Sequence, residues 1–576
     1  MQKDIYDPLR EYVNVYSHKF KEVAEKTFAE LAAEAQVDIG KNRETCRRIY
    51  SEENSLSKVM TSIRWQKVWR VLLWLCVAVG FIVGFTMYDV LDYVDLLIVG
   101  FVIFGALGLL FTDINPKIKE MKSERDKLTA KVDKLKKEAW QQMAPLNNLY
   151  DWDVLTRMMT KTVPRLEFDP YFTTQRLADL KATYGWSDSF NAGRSVVYSH
   201  SGLINGNPFV ICRTRKMEMG TKTYYGEKTI HWTTEETDSD GKTRTVHHSE
   251  TLVASVTAPY PEYFEKTRLI YGNTAAPDLI FYRKQSGLAD SEGSLKFKMK
   301  RHSLRKKSRD LSNADFAMMT NEEFEVAFDT SNRNNNQQYA LLFTPLAQES
   351  MMNLLKDDKV GFGDDFDFGK QRMINVIFSN HMQSLNLDMN PQQYKGFDYD
   401  KAEADFYAIN SRYFRAIYFC FAPLLCVPMY QQIRPQEDIY GRNMQQHSSF
   451  WEHEALANFW GQGRFKHPSC VTNCILKTEQ LQTIGDNSTI KVNAYGYRTE
   501  QHLEYVSKWG GDGNLHHVPV YWDEYLPVTG SGMIYLKEDN NFKDDSVTQR
   551  QRLGHIRSVL TENNLNIYRR HIASRV

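Results

Sequence analysis

VLLWLCVAVGFIVGFTMY, residues 71–88, and LLIVGFVIFGALGLLFT, residues 96–112, decide how the rest of the chain is read. At 18 and 17 residues without a charge, each is long enough as a helix to cross a hydrocarbon layer roughly 30 Å thick. Only DVLDYVD, 89–95, separates them, so they are expected to form a transmembrane hairpin rather than two buried core helices. Neither run contains Asp, Glu, Lys, Arg or His, which argues against an ion path through one hairpin.

The flanks set the expected orientation. Lys58, Arg64, Lys67 and Arg70 precede the first run, and Lys117, Lys119, Lys122, Arg125 and Lys127 follow the second. The loop carries Asp89, Asp92 and Asp95 and no base, so the positive-inside rule places both termini in the cytoplasm and loop 89–95 outside. Trp65, Trp69 and Trp74 stand at one interface, Tyr88 and Tyr93 at the other, as an aromatic belt requires. Gly80 and Gly84 form a G-x-x-x-G suited to close helix packing, within the hairpin or between copies. MQKDIYDPLREY is too charged for a cleavable signal, leaving the first run as the targeting element.

Two arms flank the hairpin. Leu9, Tyr12, Tyr16, Phe20, Val23, Phe28 and Leu31 trace an amphipathic stripe that Gly40 is expected to interrupt. Ile118, Met121, Arg125, Leu128, Val132, Leu135 and Ala139 follow alternating spacings of three and four, the heptad pattern of a coiled coil.

With 576 residues the chain exceeds one hydrophobic core, and 25% charged with 42% hydrophobic residues excludes a disordered or polytopic chain. A net charge of +1 excludes a uniformly basic or acidic coat, although it can conceal local extremes.

Beyond the arms the periodicity falls to two. SVVYSHSGLI (195–204) and FVICRTRKMEM (209–219) read as one hairpin, and YGEKTIHWTTEET (225–237) and KTRTVHHSETLVASV (242–256) as a second that projects from the sheet. Its turn, Asp238-Ser239-Asp240-Gly241, lacks the later oxygens of a calcium loop. Strands are also expected at 279–284, 294–302, 323–330 and 338–345, with helices at 348–357 and 401–419. Further strands are expected at 489–499, 516–528 and 532–538, and a closing helix at 546–564. The uncharged stretch 416–430 is short for a span and broken by Pro423 and Pro428, so it is taken as a buried element or a membrane-surface contact.

The expected organisation is an α+β chain, with a helical arm at 1–66, a two-helix transmembrane hairpin at 67–112 and a coiled-coil arm at 113–145. A cytoplasmic, mainly antiparallel β plus helix body follows at 146–434, then a β-rich region at 435–576. This order of parts, with VPRLEFDPYF (163–172), SGLINGNPFVI (201–211), NEEFEVAFDT (321–330) and QQYALLFTPLAQESMMNLL (337–355), resembles an uncharacterised bacterial family of two-span membrane proteins, a domain of unknown function. The resemblance covers residues 1–390 and implies a bacterial cell membrane protein. It supplies no activity and no functional residues.

Candidate chemistry is sparse. Seven cysteines without framework spacing fit reduced thiols, and no cofactor is expected beyond a structural zinc. His453, His467, Cys470 and Cys474, with His447 upstream, are the residue types for such a zinc, although C-x-x-C spacing is absent. Lys296, Lys298, Lys300, Arg301, Arg305, Lys306, Lys307 and Arg309 form a basic run suited to a solvated face or to anionic lipid headgroups, while nucleic acid lacks a supporting module. Asp364, Asp365, Asp367 and Asp512 read as turn residues, and His516-His517 as a strand-edge pair. No nucleophile elbow or phosphate loop occurs. The expected role is therefore a membrane-anchored scaffold, homo-oligomeric or bound to a protein partner. The alternative is a membrane-tethered enzyme or effector with its site in the C-terminal region.

Overall fold

The computed structural model describes residues 4–86, 93–237, 242–310, 316–435, 447–538, 566–568 and 571–575. Most of the acidic loop, the Asp-Gly turn at 238–241 and the expected helix at 546–564 lie outside the described residues. The chain divides into a helical unit, 26–150 with 391–408, and a mixed unit built from 1–25, 151–390 and 409–576.

Helix α1, Ser17–Ala35, ends where Gln36 turns to φ 52°, and α2, Ile39–Thr86, starts three residues later. The break therefore falls before Gly40, which lies inside α2. Helices α3, Tyr93–Leu109, and α4, Asn115–Leu149, return along α2. The pairing is antiparallel: Glu53 meets Lys136 at 2.7 Å, Glu52 meets Lys131 at 2.5 Å, and Thr45 accepts from Gln142 at 3.0 Å. Between the polar halves, Cys46, Ile49, Leu135 and Ala139 form a buried seam. Asn42 extends it by donating to the Phe397 carbonyl at 2.9 Å and accepting from the Tyr399 amide at 3.0 Å.

The apolar halves bury Val77, Ala106 and Leu110 between them, with Leu73, Ile103 and Leu107 packed around these. A Cβ on Gly80 would lie 2.8 Å from the Ile103 side chain, and one on Gly84 3.8 Å from Val99. Both glycines therefore face the hairpin's own second helix. Just 6% of the apolar window of α2 and 12% of that of α3 is buried, whereas a soluble core helix hides most of its surface. Both helices are long and apolar enough to cross a membrane.

In the mixed unit, β1 (Leu166–Phe168), β2 (Arg194–Ile204), β3 (Asn207–Thr237), β4 (Thr243–Gly272), β5 (Ile280–Arg283), β6 (Phe366–Gln371) and β7 (Ile374–Ser379) form an antiparallel sheet in the order β1-β2-β3-β4-β7-β6-β5. A second sheet, ordered β11-β12-β10-β9-β8, combines β8 (Ile475–Ile484), β9 (Asn487–Trp509), β10 (Leu515–Glu538), β11 (Asn566–Tyr568) and β12 (His571–Arg575). The two expected hairpins at 195–219 and 225–256 share one strand, because β3 runs unbroken for 31 residues.

Three expected strands are helices: α5 (Leu295–Arg309), α6 (Glu322–Phe328) and α7 (Asn336–Leu342). Each is started by a cap that outweighs a short apolar alternation. Ser294 accepts from the Phe297 amide at 3.1 Å, Asn321 from Phe324 at 3.1 Å, and Asn335 from Gln338 at 3.0 Å. Phe324 and Phe328 then stack one helical turn apart at 5.0 Å, which a strand's two-residue period cannot arrange.

Helix α8 spans Tyr399–Leu425, and residues 416–427 are buried, so the uncharged stretch is largely core. Phe414 there stacks on Phe20 at 4.1 Å and 2°, while Tyr418 and Phe419 hold Tyr12. The first amphipathic stripe thus finds an aromatic partner more than 390 residues away. Helix α9, Phe450–Trp460, runs between the two sheets and supplies Trp451, Ala455, Leu456 and Trp460 to their shared core.

Candidate functional site

The long strands outgrow their sheets. Pairing of β2 with β3 ends at Lys216 and pairing of β4 with β7 begins at Leu269, so from there to the tip β3 and β4 are a two-stranded ribbon, roughly 70 Å long at about 3.3 Å per residue. Likewise β8 leaves β9 at Tyr495, and β9 with β10 continues as a second ribbon of roughly 45 Å. A lone ribbon is marginal in water. These two cover one another: Ile230, Leu252 and Ala254 of the first bury Val518 and Val520 of the second, with Tyr224, Trp232, Val256 and Val506 around them.

Strand period assigns the faces. Along the stretches that hold this cluster, 223–232 with 250–257 and 503–509 with 515–521, the even-numbered side carries the buried residues and the odd-numbered side faces outward. Outward on the first ribbon lies a threonine ladder, with Thr223–Thr257 and Thr229–Thr251 hydroxyl bonds of 3.1 Å. Outward on the second, the register sets Trp509 opposite Leu515, Ser507 opposite His517, Tyr505 opposite Pro519 and Leu503 opposite Tyr521. None of these eight is an acid, lysine or arginine, and Trp509, Tyr505 and Tyr521 are 73%, 62% and 56% exposed.

Gly226 makes the close approach possible, since a Cβ there would run into the Pro519 carbonyl oxygen, a backbone atom that cannot swing aside. Gly226→Ala should part the ribbons and destabilise the arm by about 1–3 kcal/mol, the usual cost of overpacking. Red-shifted emission from Trp232 and a lower melting temperature would report it; unchanged values would show that the ribbons do not depend on this contact.

The expected zinc residues do not converge. Cys470 and Cys474 place their sulfurs 3.6 Å apart beneath Gly496. His467 is bonded to Ser469 at 2.7 Å, and buried His453 places Nε2 2.9 Å from Ser448 Oγ. Burial and the Cys470 thiol push Cys474 up to about 12, opposite to what a thiolate ligand needs. The one group of three metal-type donors within 4.8 Å of each other among the described residues is Glu500, His502 and Glu524. Spacing could not reveal it, because the register brings Glu500 opposite Glu524 from 24 residues away. Arg498 already pairs with Glu500 at 2.5 Å and His502 with Glu524 at 2.8 Å.

Helix α9 concentrates buried polar groups. Glu454 accepts from the Val196 amide at 2.9 Å, at the bulge of β2, from Asn191 at 3.2 Å and from Lys477 at 3.1 Å. Ser448 Oγ donates to Glu538, so Ser448, His453 and Glu538 superficially suggest a nucleophile, base and acid. The acid holds the serine instead of the imidazole, His453 Nδ1 has no hydrogen-bond partner among the described residues, and all three are at most 2% exposed. The set is structural.

The remaining candidates are structural too. Asp364 accepts from Ser286 and Gly287 amides and pairs with buried Arg283; Asp365 holds His381 at 2.5 Å; Asp367 accepts from Tyr282 at 2.8 Å. Asp512 caps its turn through the Asn514 amide and meets His516 at 2.9 Å. The basic run lies on α5, with Phe297 and Leu304 inward. Lys300 pairs with Asp329, Arg305 with Glu322, and Lys307 reaches the Ser331 carbonyl, while Lys296 and Arg301 flank the buried side. Lys298, Lys306 and Arg309 share the outer face with Leu295 and Met299 and make no ion pair among the described residues. Comparison of the chain with protein-family models, curated proteins and solved structures returns no match.

Proposed function

We propose that the protein is a membrane-anchored scaffold. Helices α2 and α3 cross a bacterial cell membrane as a hairpin with basic flanks on the cytoplasmic side, and the mixed unit works there as a binding body. The near-total exposure of two long apolar helices supports the anchor. The observation that carries the scaffold reading is the aromatic outer face of the β9–β10 ribbon between Leu503–Trp509 and Leu515–Tyr521, where eight paired positions carry no acid, lysine or arginine and three aromatic side chains are more than half exposed.

Its occupant is a second copy of the chain. Two such faces meet without desolvating a carboxylate or an ammonium group, and each ribbon offers unpaired strand edges beside them. The outer face of α5, with three bases that make no ion pair among the described residues beside two exposed apolar side chains, suits anionic headgroups as an auxiliary contact.

Mass measurement of the detergent-solubilised chain should give a multiple of 67.1 kDa. Tyr505→Glu with Trp509→Lys should return it to one copy. A monomeric wild type, or a variant with unchanged mass, would sink the self-association. Alkaline carbonate washing tests the anchor separately: the chain should stay with the membrane pellet.

A further inference from the structure

At the boundary between the polar and apolar halves of the helical unit, α2 and α4 enclose a groove of about 530 Å3. Its walls change character along one stripe of α2. Arg64, Lys67 and Val71 follow at intervals of three and four, so they share a face that passes from charge to hydrocarbon, with Ile63 and Leu72 beside them. Arg125 closes the groove from α4. Arg125 also bonds its neighbour Asp126, at 2.9 Å through Nε, whereas Arg64 and Lys67 make no ion pair among the described residues. A second groove of about 480 Å3, bounded by Arg70, Trp74 and Asn115, continues from Val71.

We propose that this groove binds an anionic phospholipid. Its phosphate lies among Arg64, Lys67 and Arg125, and an acyl chain follows Val71 and Leu72 along the span. The chemistry selects this ligand over its alternatives. A soluble phosphate would satisfy the bases and leave the apolar wall uncovered. A zwitterionic headgroup would bring an ammonium group into a lining that has three bases and no carboxylate. The site is separate from the α5 face, which is a surface contact without a cavity among the described grooves. It rests on the reading that α2 crosses a membrane.

The test uses the full-length protein, solubilised in mild detergent with phosphatidylglycerol or phosphatidylcholine and weighed intact with its retained lipids. Wild type should retain phosphatidylglycerol selectively. Arg64→Gln with Lys67→Gln should weaken that retention roughly thirtyfold, at about 1 kcal/mol for each base. Lys298→Gln with Lys306→Gln on α5 should leave it unchanged. Equal retention of the two lipids, or retention within about twofold of wild type in the Arg64/Lys67 variant, would overturn the site. Release of the lipid by excess inorganic phosphate would reassign the groove to a soluble anion and overturn it too. Carbonate extraction of the same samples separates the two failures: a chain that washes off the membrane refutes the anchor, while one that stays without lipid selectivity refutes only the groove.

Discussion

Arg333→Ala should destabilise the mixed unit by about 3–5 kcal/mol, the range found when one partner of a buried ion pair is removed. Arg333 and Glu325 are 2% and 1% exposed, and the guanidinium meets the carboxylate through two bonds of 2.7 and 2.9 Å. Its other donors reach the Ala317 carbonyl at 2.6 Å and Asn336 at 2.8 Å. Phe316 and Tyr339 sandwich it at 4.4 and 4.1 Å. One side chain thus ties α6 to the start of α7. Alanine leaves the Glu325 carboxylate buried with no counter-charge and opens a void between two rings. Glu325→Leu combined with Arg333→Met removes both charges while filling space, so it should cost less than either single truncation. Urea midpoints followed by pulse proteolysis of the full-length chain would measure all three. A single variant that melts like wild type, or a double variant no better than the singles, would show that the pair is not what holds these helices.

That pair also shows why parts of the fold were hidden in the sequence. EFEVAF alternates acid with apolar residues, so it suggests a half-exposed strand, yet Glu325 is inside because an arginine eight residues on neutralises it. Alternation is a statement about exposure, and a compensated buried charge breaks the link between polarity and surface. The apolar helices had no such ambiguity, because every residue of 71–88 and 96–112 avoids charge regardless of partner. The ribbons fall between. Each strand was visible from its period, but the aromatic face depends on a register that pairs Trp509 with Leu515 and Leu503 with Tyr521, and on a second ribbon covering the even-numbered side. The cysteines and histidines illustrate the converse: proximity in sequence put them together on paper, while helix α9 turns His453 toward Ser448 and the cysteines pack under Gly496.

Helix α9 also predicts a pH response in which two adjacent residues conceal one another. Burial raises the Glu454 carboxyl from 4.5 to about 7 against the pull of Lys477, and burial lowers His453 from 6.5 to about 3. For Glu454 the raised folded value means stability that is complete below pH 4.5 and lost as pH climbs through about 7, a change of about 3 kcal/mol. For His453 the depressed folded value means stability that is complete above pH 6.5 and lost as pH falls through about 3, a change of about 5 kcal/mol. Between pH 4.5 and 6.5 the two slopes oppose, so together they contribute almost nothing to the wild-type profile. Glu454→Gln keeps the shape and acceptor while removing the titration, and its stability should climb from pH 4.5 to 6.5 relative to wild type. His453→Asn should do the reverse and fall across the same interval. Lys477 is partly exposed and can turn to water in the Gln variant, so the slope is the quantity to compare. Melting temperatures at half-unit pH steps would resolve it. Three parallel profiles would mean that both groups keep ordinary affinities for protons, and that α9 is wetter than its packing between the sheets implies.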